Sequence, residues 1–105
     1  MNSTRAKFAP GALVHHKLFE YRGVVIDVDP HFQGTPEWYG MMAKSRPPKE
    51  RPWYHVLVDG SDVYTYIAER NLETDETGRP IYHPEIVTHF ATLGVSTYIL
   101  RQKGN

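Results

Sequence analysis

Two short runs of alternating residues, Trp53 to Val58 and Val63 to Ala68, flank Asp59-Gly60. Nothing else in the chain narrows its possible folds as much. In the first run Trp53, His55 and Leu57 fall on one side, and Tyr54, Val56 and Val58 on the other. In the second, Val63, Thr65 and Ile67 alternate with Tyr64, Tyr66 and Ala68. β-Branched and aromatic residues at period two around Asp-Gly predict a hairpin, with a turn spanning Asp59 to Asp62. A slip of one residue would exchange the two faces, so the turn must also fix the register.

The flanking sequence extends this β rhythm. Phe8-Ala9-Pro10-Gly11 marks a turn, Ala12 to Lys17 a first strand and Gly23 to Asp29 a second, joined by a loop tipped with Phe19 and Tyr21. Val24, Ile26 and Val28 are expected on one face of the second strand, and Val25, Asp27 and Asp29 on the other. Pro30 ends it, having no N–H to donate. The excursion at residues 31–51 breaks the pattern. Thr35-Pro36-Glu37 predicts a helix start, with Thr as N-cap, Pro at the first helical position and an acid in the first turn. Trp38, Met41 and Met42 then recur at helical spacing, as a cover over the mouth of a barrel. Arg46 to Pro52 is expected to run extended with polyproline character.

Beyond the hairpin, Glu69 to Leu72 predicts one helical turn, Glu73-Thr74 a short closing strand, and Pro84 to Phe90 a short helix. The apolar residues of Gly94 to Leu100 are placed to add a strand or to pack on another subunit as a homo-oligomer. The fold class is therefore mainly β: a small SH3-like barrel with one or two short helices, since closure removes exposed strand edges. One domain is expected over residues 1–105. Residues 8–74 form the barrel core, with the excursion 31–51, and residues 75–105 form a C-terminal extension.

Composition removes several functions. There is no cysteine, which excludes disulfides, thiolate zinc sites and cysteine nucleophiles. No Ser sits in a Gly-x-Ser-x-Gly setting. Twelve Lys and Arg balance twelve Asp and Glu, a poor basis for strong non-specific binding to DNA or an acidic membrane. Met1 to Lys7 is polar and no apolar run follows it, so a cytoplasmic protein with no membrane contact is expected. Metal binding has little support. His15 and His16 are adjacent and point to opposite faces of a strand, and Glu85 with His89 supplies only two ligands. Asp27 and Asp29, two apart, solvate an edge or cap the Asp29-Pro30 turn. His55, in mid-strand among aromatics, is expected to be hydrogen-bonded and partly buried.

Two surfaces remain. Lys44, Arg46, Lys49 and Arg51 form a basic stretch flanked by Trp38, Tyr39, Trp53 and Tyr54, and are the candidate DNA contacts. Tyr64, Tyr66, Tyr98 and Leu100 are the candidate protein contacts. Gln102 to Asn105, next to Tyr98-Ile99-Leu100, would give a protease a handle to engage.

Four blocks carry a family resemblance: Gly11 to His16, Gly23 to Pro30, Pro52 to Val58, and Thr65 to Glu69 with Asn71-Leu72. In this order they resemble the bacterial heat shock protein HspQ family, also called hemimethylated-DNA-binding or YccV-like domains, over roughly Phe8 to Leu72. The resemblance implies an SH3-like barrel and a non-enzymatic regulator, with no cofactor and no catalytic residues to transfer. It implies a role in degrading denatured proteins during heat stress, including the replication initiator, through the ATP-dependent protease Lon. The alternative is a hemimethylated-DNA-binding module.

Overall fold

In the computed structural model, which describes residues 5–101, the chain is mainly β. Strand β1 (Leu13–His16), β2 (Arg22–Asp29), β3 (Trp53–Val58), β4 (Tyr64–Ala68) and β5 (Leu72–Thr74) form one antiparallel sheet in the order β4-β3-β2-β1-β5. Helix α1 (Pro36–Met42) lies in the excursion, and a single 3-10 turn (Glu69–Asn71) leads into β5. A second helix, α2 (Ile86–His89), precedes a two-stranded sheet of β6 (Phe90–Leu93) and β7 (Tyr98–Leu100). No described helix is long and apolar enough to cross a membrane.

The central hairpin forms, with its turn between Val58 and Val63. Trp53 faces Ala68, His55 faces Tyr66 and Leu57 faces Tyr64. Gly60 takes a positive φ of 74° in the turn, and the Ser61 hydroxyl donates to Val58 O while accepting from Val63 N–H. Closure does not follow: β4 and β5 are the two edges of the sheet, and no ladder among the described residues joins them. A ring of paired strands needs its end strands to meet, and here β4 stops pairing at β3.

The face assignment of β2 also differs from the alternation. The ladder to β3 shifts between Val25 and Asp27, leaving Ile26 as an extra residue. Beyond this bulge the faces exchange. Val28 packs with Val25, while Asp27 and Asp29 lie opposite His55 and Trp53 on the face of Val24 and Leu57.

Each sheet face is buried differently. The face of Val14, Val25, Tyr54, Val56, Ile67 and Leu72 closes on itself through the bend of the sheet. The other face needs two covers. At one end Ile81, Phe90 and Tyr98 pack on Leu13, Val24 and Leu57; at the other the excursion covers Trp53 and Ala68. Tyr98, expected at a contact surface, is thus a core residue, 6% exposed, and its hydroxyl accepts from Ile81 N–H at 2.9 Å. The region expected to be helix up to Phe90 ends at His89, and Phe90 opens β6, whose residue pairs with β7 supply its ladder. Gln102 to Asn105, the expected protease handle, lies outside the described residues.

The C-terminal cover is clamped at Gly11, where φ is 100°. Its carbonyl accepts from Tyr98 N–H at 2.8 Å and from the Thr97 hydroxyl at 3.0 Å. A Cβ at Gly11 would lie 2.3 Å from Tyr98 O. Backbone on both sides of the clash leaves nothing flexible to yield. Gly11→Ala is therefore expected to cost about 2–4 kcal/mol in urea unfolding, from the left-handed backbone and the broken clamp together. A loss under about 0.5 kcal/mol, within the range of ordinary surface substitutions, would show that the clamp carries no weight.

Candidate binding groove

Helix α1 begins as its sequence dictates. The Thr35 hydroxyl accepts from Trp38 N–H at 3.1 Å and Pro36 takes the first turn. The helix turns Trp38 and Tyr39 inward, whereas Met41 and Met42 are mostly exposed, so the Met residues are not the expected packing stripe. Phe32, unremarked in the sequence, is the hub. Its ring centroid lies 4.8 Å from Trp53, 5.4 Å from Tyr39, and 5.9 Å from both Trp38 and Tyr66. Such offset and edge contacts each add to simple area burial.

The proline-rich return is pinned rather than freely extended. Arg46 N–H donates to Ala43 O at 3.0 Å, and Arg46 sits at a φ of 54°. Tyr39 Oη donates to Pro47 O at 2.6 Å and Trp53 Nε1 to Pro48 O at 3.1 Å. Pro47 and Pro52 are fully buried. Side-chain donors captured these carbonyls, and a pattern of prolines alone carries no sign of such tertiary partners.

Across from α1 stands the loop between β1 and β2. His16 holds it: Nδ1 accepts from Leu18 N–H and Phe19 N–H, both at 3.1 Å, and the ring stacks on Phe19 at 4.7 Å. An imidazole that accepts at Nδ1 must be unprotonated there. Burial, with the neighbouring His15 adding to it, holds His16 below the ordinary histidine pKa.

Between loop and helix runs a groove of about 650 Å³. Leu18, Phe19 and Tyr21 form one wall; Trp38, Met42 and Lys44 stand on the other; Tyr64 to Ala68 line its length. Lys44 carries the one permanent charge among the lining residues. Beside it Asp29 Oδ2 accepts from Tyr66 Oη at 2.6 Å and lies 3.0 Å from His55 Nε2, while His55 Nδ1 meets the Tyr64 hydroxyl. Burial and the bond to Asp29 push the Tyr66 hydroxyl well above the ordinary tyrosine pKa, so it stays a donor. Ligand atoms of Asp27, Asp29 and His55 lie within 4.8 Å of one another, the one group among the described residues with the spacing to hold a metal. Asp29 already serves two partners there.

The expected basic stretch does not act as one patch. Lys44 lines the groove, the Lys49 ammonium lies 4.4 Å from the Tyr39 ring centroid, Arg51 pairs with Glu69 at 3.6 Å, and Arg46 is exposed at its turn. Of the candidate protein contacts, Tyr64 and Tyr66 line the groove, Leu100 is exposed on the separate β6–β7 sheet, and Tyr98 is buried. The expected aromatic loop tip, Phe19 and Tyr21, supplies a groove wall. Sequence reasoning passed over Phe32, named Tyr39 only as a flank of the basic stretch, and weighed His16 only as a metal ligand. Phe32, just past Pro30, is the one apolar residue before the helix cap, which was the available signal.

A family described as "Hemimethylated DNA-binding protein YccV like" matches residues 6–96. The chain belongs to this family. The match runs past β5 and takes in α2, β6 and the turn before β7, so the C-terminal cover up to that turn, with Ile81 and Phe90, falls within the YccV-like region, while Tyr98 lies just beyond it. It is a family of DNA-binding and regulatory domains, not one named for a catalysed reaction.

The neutral His16 gives the groove a pH dependence. Its folded pKa is depressed, so the unfolded state binds the proton more readily. The stability His16 contributes is complete above the unfolded value of about 6.5 and is lost as pH falls from there through the folded pKa. The amide signals of Leu18 and Phe19 should titrate together with a midpoint below that of free histidine. A midpoint at or above it would refute the neutral acceptor.

Proposed function

We propose that this chain is a non-enzymatic stress regulator that holds segments of denatured polypeptide and promotes their degradation by an ATP-dependent protease of the Lon type, in the cytoplasm. The groove carries this reading. Its walls are aromatic and aliphatic, and Lys44 is its one permanent charge. Unfolded chains display apolar side chains that such a surface can shield from water. A nucleic-acid strand asks instead for several cations in register with its phosphates. Phe19 and Tyr64 stand exposed at the groove, as anchors awaiting a partner do. The strand order and the 3-10 turn before β5 favour placing the sheet among SH3-like folds, with the barrel left open at β4.

In a reconstituted assay, the chain should accelerate degradation of a denatured substrate by Lon. Phe19→Ala and Tyr64→Ala should each reduce that acceleration about five-fold, the equivalent of one hot-spot contact of ~1 kcal/mol. Both side chains are mostly exposed, so the fold should survive. No acceleration by the wild-type chain would remove the proposal.

The family description favours a second reading, binding of hemimethylated DNA. Exposed Arg46 and Arg51 are the cations placed to serve it. Binding to methylated, hemimethylated and unmethylated duplexes at several salt concentrations separates the two readings. If DNA is the ligand, Arg46→Ala with Arg51→Ala should weaken binding and flatten the salt slope by roughly one unit per lost phosphate contact. An unchanged slope would exclude this stretch.

A further inference from the structure

We propose that the groove takes its polypeptide as an added β-strand, hydrogen-bonded to the open edge of β4. This deepens, and rests on, the reading of the groove as a polypeptide site. Successive side chains of a strand point to opposite faces of its sheet. A cavity lined by all five consecutive residues of β4 must therefore run along the edge of the strand and not over one face.

The parity of the ladder says which groups face it. Val58 N–H donates to Val63 O and Glu69 N–H to Pro52 O, so the bonded pairs between them are Val56 with Thr65 and Tyr54 with Ile67. Tyr64 and Tyr66 are then the non-bonded positions, and their N–H and C=O groups point away from β3. Among the described residues these groups have no hydrogen-bond partner. Unpaired edge groups in an apolar channel are a template for another strand.

The walls narrow the choice of occupant. The groove is bounded by the β1–β2 loop and the end of α1, and a strand laid along β4 would alternate its side chains between the two sheet faces. The five residues of β4 span about 17 Å, enough for a segment of similar length. Lys44 at the rim complements one acidic residue on that segment. The chemistry recognised is an extended stretch with large apolar side chains at every second position and a nearby acid.

The test uses the full chain and a synthetic peptide of about seven residues, alternating Phe and Thr with one terminal Asp. In amide exchange, Tyr64 and Tyr66 should gain protection on binding, while Thr65, already bonded to β3, should change little. Two N-methylated versions of the peptide complete it. Methylation of the alternate amides that face β4 should weaken binding about ten-fold or more, and methylation of the other set should change it less than about two-fold. Equal effects of both sets, or binding without new protection at Tyr64 and Tyr66, would overturn the strand mode in favour of side-chain capture alone. Protection of Tyr64 and Tyr66 that rises with protein concentration without peptide would overturn it in favour of a second copy of the chain. Saturation by duplex DNA, with the peptide displaced, would also overturn it. Peptide pairing with no effect on Lon would sink the proposed function and leave the strand mode standing; acceleration of Lon with no such pairing would do the reverse.

Discussion

Burying both sides of β3 is the constraint on which the rest of the molecule depends. Trp53, Tyr54, Val56 and Leu57 are each at most 1% exposed, so both faces of this strand are buried over most of its length, with His55 and Val58 half-buried. A single bent sheet can enclose one of its faces. The other must be covered by something added, and this chain adds two pieces. The segment carrying Ile81, Phe90 and Tyr98 covers the Leu57 end, and the excursion carrying Phe32, Trp38 and Tyr39 covers the Trp53 end. Between them remains a polar strip, where His55, Asp29 and Tyr66 satisfy one another. Burial without such pairing would cost more than the covers return.

Ion pairs join these pieces where packing does not. Arg22, at the start of β2, bonds Asp59 in the hairpin turn at 3.0 Å and Asp75 after β5 at 2.9 Å, and donates to Arg79 O at 2.6 Å. Burial alone would raise the Asp75 pKa, but the bonds from Arg22 and Thr77 outweigh it and hold the carboxyl below the usual range. Its contribution is therefore present above the ordinary carboxylate pKa and fades only as pH falls through the depressed value. That window lies below the one in which His16 weakens. Mild acid should thus disturb the groove wall before it disturbs the joint between the hairpin turn and the C-terminal cover.

What the sequence makes legible follows from the range of the interactions. The hairpin, the Thr35 cap and the turn at Asp59 to Asp62 rest on neighbours a few residues apart, and period and turn chemistry reveal them. The bulge at Ile26 rests on how β2 meets β3, so alternation alone assigned Asp27, Val28 and Asp29 to the wrong faces. Tyr98 reads as a surface anchor because its partners, Ile81 and Phe90, come from a segment whose docking no local pattern announces. The groove was half legible. Tyr64, Tyr66, Phe19 and Tyr21 stood out as aromatics, but that they flank the same strand edge depends on the fold of the sheet. The basic residues from Lys44 to Arg51 read as a patch because they are close in sequence. The pinned turns send them to separate partners.

The open edge of β4 then follows from the same economy that covers β3. A closed ring of strands would have hidden Tyr64 and Tyr66, but the sheet ends instead with its last strand set between two walls. An unprotected edge invites pairing with any passing sheet, and small domains ordinarily blunt it with charge, proline or a bulge. Here that edge lies in a groove, with Leu18 and Phe19 on one side and Met42 to Ser45 on the other. Because His16 orders the first of these walls through the one ring acceptor, Nδ1, that protonation removes, access to the edge is coupled to a histidine, the residue type whose ordinary pKa lies near neutrality. The wall that bounds the open edge is thus also the feature through which its binding can be tuned.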